Sequence, residues 1–152
     1  MIKFASLALL APSLALSSSG CAKPGGGLSA DFTFLGRIDE SAYKDIVSKV
    51  GPNSSIKITS QGGNTLLAIE LGKIIRQRSI SIVVSKYCLS ACAQFLLPAA
   101  RSIYVEQYGI VGLHSSPSAI NVELIRAGIS SSSLDNNTIH RKEESYYTAI
   151  GV

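Results

Sequence analysis

The sequence has no long run of like charge, and no stretch in which lysine or arginine alternates with aromatic side chains. Disordered chains are rich in charge and poor in apolar residues, whereas this chain is 46% hydrophobic and only 16% charged. The net charge of +4 comes from scattered basic residues, so no nucleic-acid-binding surface is expected. A chain of 152 residues predicts one domain with a single hydrophobic core.

Several site signatures are also missing. The absence of G-x-S-x-G argues against the nucleophile elbow of α/β-hydrolases. The absence of C-x-x-C argues against a thioredoxin-like redox pair. The glycines at 25–27 lack the lysine and the spacing of a phosphate-binding loop. No cofactor is therefore expected.

The N-terminal residues have the features of an export signal. Lys3, an apolar run over 4–16 and then small residues are typical of a secretory signal peptide, which we assign to residues 1–21. The apolar run is too short to span a bilayer as a helix, and Pro12 interrupts it. The sequence therefore predicts export to the periplasm or cell envelope.

The end of this signal resembles a bacterial lipoprotein cleavage box, although Ser18 stands where leucine is usual. Cys21 would then carry a lipid and become the new N-terminus. Ordinary cleavage near this point is the alternative. Membrane contact is expected only through that lipid anchor.

The other two cysteines, Cys88 and Cys92, would form a pair in a compartment that permits disulfides. Their four-residue separation allows a local bridge if the turn brings the Cα atoms close. Two alternatives stay open: both are small buried hydrophobic residues, or both bind zinc with His114 and His140. The zinc site is disfavoured, because C-x₃-C is not the tight C-x₂-C knuckle, and no metal is expected.

Strand-like and helix-like segments alternate after a glycine-rich linker over 22–30. Asp39 and Asn64 are predicted helix caps, and Gly72 predicts close packing of its helix against a neighbour. Strands are expected over 32–38, 56–60, 79–85, 101–105 and 110–113, and helices over 39–50, 64–75, 91–97 and 137–149. This alternation predicts an α/β domain over 31–152 with a largely parallel sheet covered by helices.

Three features follow predicted strands, where open α/β sheets place their sites: Gly62-Gly63, Ser90 and His114. Serine becomes a nucleophile when a base such as histidine takes its proton. Glycines can aim backbone N–H groups at a developing oxyanion. Each feature alone has an ordinary structural explanation, as a helix cap, a turn or a structural histidine, so the combination and its order carry the prediction.

The series ITSQGG, CLSAC and GLHSS resembles the Clp protease/crotonase-like superfamily, and in particular exported bacterial Clp-protease-like proteins of predicted function. The resemblance extends over 34–147. It implies a largely parallel sheet with helices in repeated β-α units, a peptide or protein substrate, and self-association into a homo-oligomer. It also implies a nucleophile, Ser90, a base, His114, and an oxyanion hole lined by Gly62, Gly63 and Ala91.

The acid of the family's triad lies beyond a helix that EESYYTAIGV resembles, and this chain ends at Val152. We therefore expect a C-terminally truncated copy, a substitute such as Asp135 or Glu143, or a relative that does not hydrolyse. The function predicted is an exported serine peptidase-like hydrolase acting through an acyl-enzyme. The alternative is a catalytically inactive envelope protein that uses the scaffold for binding or assembly.

Overall fold

The computed structural model describes residues 29–115, 126 and 136–152. The predicted signal peptide and most of the linker lie outside these residues. The elements in chain order are β1 Phe32–Leu35, α1 Glu40–Lys49, β2 Ser55–Ser60, α2 Thr65–Gln77, β3 Ser81–Leu89, a π-helix Cys92–Leu96, β4 Ile103–Val105, β5 Ile110–Gly112 and α3 Asn136–Ile150. Among the described residues, no helix has the length and apolarity needed to cross a membrane.

The five strands form one sheet in which β1, β2, β3 and β4 are neighbours in that order, and every pairing is parallel. β3 is nine residues long. With one edge it pairs β2; with the other it pairs β4 through Ile82–Val84 and then β5 through Tyr87–Leu89. The predicted α/β fold with a parallel sheet is confirmed, and the ends of β3 and β5 meet at one place.

Helices cover one face of this sheet. Right-handed crossovers between sequential parallel strands place their helices on the same side. The row Phe34, Ile58 and Val84, which the register aligns across three strands, is buried on that side. Leu35, one residue along β1 and therefore on the opposite face, is 70% exposed. Burial of the aligned apolar rows is the main favourable term for this domain.

The helix ends agree with the predicted caps. Asp39 Oδ1 accepts a hydrogen bond from the Ala42 N–H at 2.9 Å. Asn64 Oδ1 accepts from the N–H groups of Leu66 and Leu67. Such caps stabilise a helix by about 1 kcal/mol each. Both predicted caps are confirmed.

The predicted close packing at Gly72 is also confirmed. A Cβ added there would lie 2.5 Å from the Phe95 carbonyl oxygen and 2.7 Å from the ring of Tyr146. The Tyr146 hydroxyl donates to that same Phe95 carbonyl. Gly72 therefore lets α2 approach both the π-helix and α3, which positions the segment that follows the predicted nucleophile.

Two predicted strand ends were wrong. The first strand stops at Leu35, because Gly36 has φ +129° and turns the chain, and Ile38 forms only an isolated bridge with Gly63. β3 does not end at Ser85 but continues to Leu89. Its later residues include exposed Lys86 and Tyr87, so the apolar pattern stops while the backbone pairing continues, and the strand is not buried on both faces throughout.

Candidate active site

Ser90 occupies a tight turn between β3 and the π-helix. Its φ is +55°, a left-handed conformation that costs a non-glycine residue about 1–2 kcal/mol. Its N–H donates to the Gly112 carbonyl at 2.8 Å, and its carbonyl accepts from the Gln94 N–H at 2.9 Å. Because both backbone groups of Ser90 are hydrogen-bonded, the conformation of the turn is fixed. The direction of the Ser90 Cα–Cβ bond is therefore fixed as well.

A disulfide closes around this turn. Cys88 and Cys92 are joined, with their Cα atoms 5.4 Å apart. Both residues are fully buried. The bridge links the end of β3 to the first residue of the π-helix, so Ser90 is the middle residue of the enclosed loop. The zinc alternative needs free thiolates, which a disulfide does not supply.

His114 lies beside Ser90 because β3 and β5 are parallel and Leu89 is paired with Gly112. Ser90 follows its strand by one residue, and His114 follows β5 by two. Ser90 Oγ is 2.5 Å from His114 Nε2, and His114 Nδ1 is 2.7 Å from the Ser115 carbonyl oxygen. Ser90 is half-buried and His114 is exposed. A histidine that accepts a serine proton is the arrangement that activates an oxygen nucleophile.

Gly62 packs against the Ser90 turn. A Cβ placed on Gly62 would lie 2.7 Å from the Leu89 carbonyl oxygen, 2.9 Å from Ser90 Cβ and 3.0 Å from the Ala91 nitrogen. The φ of Gly62 is +90°, so side chains are disfavoured there on two grounds. Its N–H donates to the buried Ser60 Oγ at 3.1 Å. Gly62 thus leaves room at the site while its own N–H is already bonded.

Gly63 is held by its contact with Ile38, which follows β1. The Gly62 carbonyl accepts from the Ile38 N–H at 2.9 Å, and a Cβ on Gly63 would overlap the Ile38 backbone. In a trans peptide, a carbonyl and the next N–H point in opposite directions. The Gly63 N–H therefore points away from Ile38.

The third predicted catalytic residue, Asp135, lies outside the described residues. Glu143 is described and is buried. The pKa of Tyr147 is raised overall. Burial is the largest cause, the hydrogen bond to Gln94 acts in the opposite direction, and the Glu143 carboxylate adds to the increase. This places Glu143 beside Tyr147 on α3. Within the described residues, the polar contacts of His114 are those with Ser90 and Ser115.

Four groups at the site were not predicted from the sequence. Ser60 bonds the Gly62 N–H, and Ile38 anchors the Gly62 carbonyl. The carbonyls of Gly112 and Ser115 hold Ser90 and His114. Ser60 had a usable signal, because a serine two residues before a glycine turn can bond its backbone. The carbonyls had none, because backbone groups leave no mark in a sequence.

Comparison with solved structures identifies the fold of this chain. No family model and no curated protein matches the chain. The ClpP protease catalytic domain from Plasmodium falciparum has a TM-score of 0.49 at 11% identity, and the match covers 78% of this chain and 66% of that one, just under two thirds. A ClpP1 mutant from Listeria monocytogenes has a TM-score of 0.50 at 19% identity, covering 78% and 70%. This chain therefore has a Clp protease-like α/β fold with a parallel sheet.

Proposed function

We propose that the protein is an exported serine peptidase-like hydrolase that works through an acyl-enzyme on Ser90. The observation that carries the proposal is the 2.5 Å contact between Ser90 Oγ and His114 Nε2, made by a serine held at φ +55°. A helix cap does not need a left-handed backbone or a histidine partner. Unfavourable backbone conformations that the surroundings maintain are concentrated at functional sites.

In the acylation step, the Ser90 oxygen attacks the substrate carbonyl carbon while its proton passes to His114 Nε2. The π-electron pair of the carbonyl moves onto the carbonyl oxygen, which becomes an oxyanion. The intermediate then collapses, the bond to the leaving amine breaks, and the Nε2 proton passes to that amine. Water, deprotonated by the same nitrogen, hydrolyses the ester in the second half of the reaction.

The oxyanion would be stabilised by the N–H groups of Gly63 and Ala91. Ala91 is the N-cap of the π-helix, so its N–H has no intrahelical acceptor, and the Gly63 N–H points away from its strand neighbour. Gly62 lines the hole by lacking a side chain. A preorganised donor of this kind contributes about 3–4 kcal/mol of transition-state stabilisation.

Export to the periplasm or cell envelope is part of the proposal. Disulfides persist in oxidising compartments and are rare in the cytosol, and the Cys88–Cys92 bridge encloses the nucleophile. The predicted signal over 1–21 and the lipid anchor at Cys21 agree with that compartment but lie outside the described residues.

A peptide or protein substrate fits the surface beside the histidine. Leu113 is 70% exposed and Ile110 is 60% exposed, and both lie on or just after β5. Apolar side chains of a substrate would bury these residues, which is favourable in proportion to the area covered. We also propose self-association into a homo-oligomer, in which part of this apolar surface would be covered.

The same surface favours one alternative. Exposed apolar residues continue along the β4–β5 edge, with Tyr108 at 86% and Tyr104 at 50% exposure. Apolar patches of this kind mark interaction sites. A catalytically inactive envelope protein that binds a partner here would keep the fold while Ser90 served only the turn.

Burst kinetics with activated esters and fluorogenic peptides test the proposal. With an activated ester the leaving group departs readily, so acylation outpaces hydrolysis of the acyl-enzyme and one equivalent of leaving group per site is released before steady turnover. The wild type is expected to show this burst and Ser90→Ala to show none. Ser41→Ala, an exposed serine of α1, is the matched control and should keep the full burst. A folded wild type with no burst on any substrate would favour the binding protein.

A further inference from the structure

The two ring nitrogens of His114 have different partners, and together these define one tautomer. The Ser115 carbonyl, 2.7 Å from Nδ1, can only accept a hydrogen bond. Nδ1 therefore carries the proton of the neutral ring. Nε2 is then bare and accepts from the Ser90 hydroxyl, 2.5 Å away. This is the tautomer that a general base needs.

The His114 Nδ1–H can donate one strong hydrogen bond. Among the described residues, the acceptor at Nδ1 is the Ser115 carbonyl. The acceptor is also local, because it belongs to the residue that directly follows His114. The ring is thus turned onto its own chain at the end of β5.

We infer that the Ser115 main-chain carbonyl is the group that orients His114, so that the site operates through Ser90, His114 and this carbonyl. The inference rests on the proposed function and names its third member. When Nε2 takes the Ser90 proton, the Nδ1–H stays bonded to the carbonyl, which stabilises the imidazolium through its dipole. A neutral dipole does this less well than a carboxylate, so acylation is expected to be slow for a serine peptidase.

The tautomer can be measured without any reaction. In protein carrying ¹⁵N-labelled histidine, the two ring nitrogens report directly which one is protonated. His140→Gln removes the second histidine, which is exposed and paired with Glu144, and leaves one ring in the spectrum. We expect the neutral ring of His114 to be protonated at Nδ1 and bare at Nε2. The opposite tautomer, or fast exchange between both, would overturn the inference even if Ser90 is catalytic.

A backbone substitution tests the same group in the reaction. Replacing Ser116 by its α-hydroxy analogue converts the Ser115 carbonyl from an amide to an ester oxygen, which is a weaker acceptor. Loss of part of one hydrogen bond should slow acylation of Ser90 about three- to tenfold. The same replacement at Lys49, in α1 and away from the site, controls for the loss of one backbone amide. Equal rates for the two esters would contradict the inference.

Asp135→Asn separates this account from a carboxylate triad. Removing the acid of a Ser-His-Asp triad lowers kcat about 10⁴-fold. A loss of that size in Asp135→Asn would overturn the inference, whereas a change within tenfold supports it. If Ser90 is never acylated, the proposed function fails, and comparison of the histidine spectra of the wild type and Asp135→Asn still tests which group orients His114. An unchanged tautomer in Asp135→Asn supports the Ser115 carbonyl, and a changed tautomer contradicts it.

Discussion

Gly62 packs closely against Ser90: a Cβ on Gly62 would lie 2.9 Å from Ser90 Cβ, closer than two such atoms normally come. The turn after β2 and the turn after β3 are therefore packed against each other at the site. Any side chain at position 62 must displace the nucleophile, the Leu89 carbonyl or the Ala91 N–H.

Gly62→Ala should therefore damage both stability and reactivity. The variant combines a strained φ of +90° with a contact of 2.7 Å to a backbone oxygen, and overpacking typically costs about 1–3 kcal/mol. We expect a lower free energy of unfolding in denaturant titration, and slower acylation of Ser90.

Gly36→Ala is the matched control for that variant. Gly36 also has a positive φ, +129°, but a Cβ there would meet nothing within 4 Å. It should lose stability through backbone strain alone, about 1–3 kcal/mol, and acylate at the wild-type rate. If both variants acylate equally well, the Gly62 contact has no part in the site.

Removing the disulfide should loosen the nucleophile. Cys88→Ala combined with Cys92→Ala opens a loop closed by a separation of four residues, which should lower the free energy of unfolding by about 2 kcal/mol. Because the left-handed Ser90 lies inside that loop, acylation should slow by more than the fraction of unfolded protein explains. Cys21→Ala removes a cysteine but leaves the bridge, and should match the wild type. An unchanged acylation rate in the double variant would show that backbone bonds alone hold Ser90.

The lowered pKa of Glu106 should make the free energy of unfolding depend on pH in the acidic range. Its carboxylate is 2.6 Å from Lys57 Nζ and 2.9 Å from Ser85 Oγ. The hydrogen bond to Lys57, then that to Ser85, hold the pKa of Glu106 below its ordinary value of 4.5. A lowered folded-state pKa stabilises the protein above the unfolded value, and that contribution is lost as pH falls through the folded value.

Glu106→Gln should accordingly be less stable than the wild type at pH 7, with the difference shrinking below about pH 4.5. Glu40→Gln is the control, because its ion pair with Lys44 spans 3.6 Å between two exposed side chains and such pairs contribute little. Thermal unfolding of the three proteins from pH 3 to pH 7 measures this. A gap for Glu106→Gln that stays constant with pH would contradict the assignment.

Much of the fold could be predicted from periodicity and caps. Asp39 and Asn64 cap their helices through side chains, and side chains are what a sequence displays. The exposed Lys86 and Tyr87 show the limit, because β3 continues there through backbone pairing with β2 and β5. A strand held by register rather than by burial has no apolar pattern to detect.

The candidate site was also predicted only in part from the sequence. Ser90 and His114 were predicted from their positions after strands, and the parallel pairing of Leu89 with Gly112 brings them together. The left-handed Ser90 and the Ser115 carbonyl could not be predicted, because both are properties of the backbone. The predicted roles of these residues in catalysis stay predictions.

Covalent labelling of Ser90 tests the central claim most directly. A fluorophosphonate reacts only with a serine whose proton a neighbouring base can take, and peptide mapping by mass spectrometry identifies the modified residue. We predict one phosphonylated residue per chain, Ser90, with labelling abolished in Ser90→Ala and strongly reduced in His114→Ala, while circular dichroism shows both variants folded. A folded wild type that carries no label on Ser90 across pH 6 to pH 9 would contradict the claim that this site is a serine hydrolase.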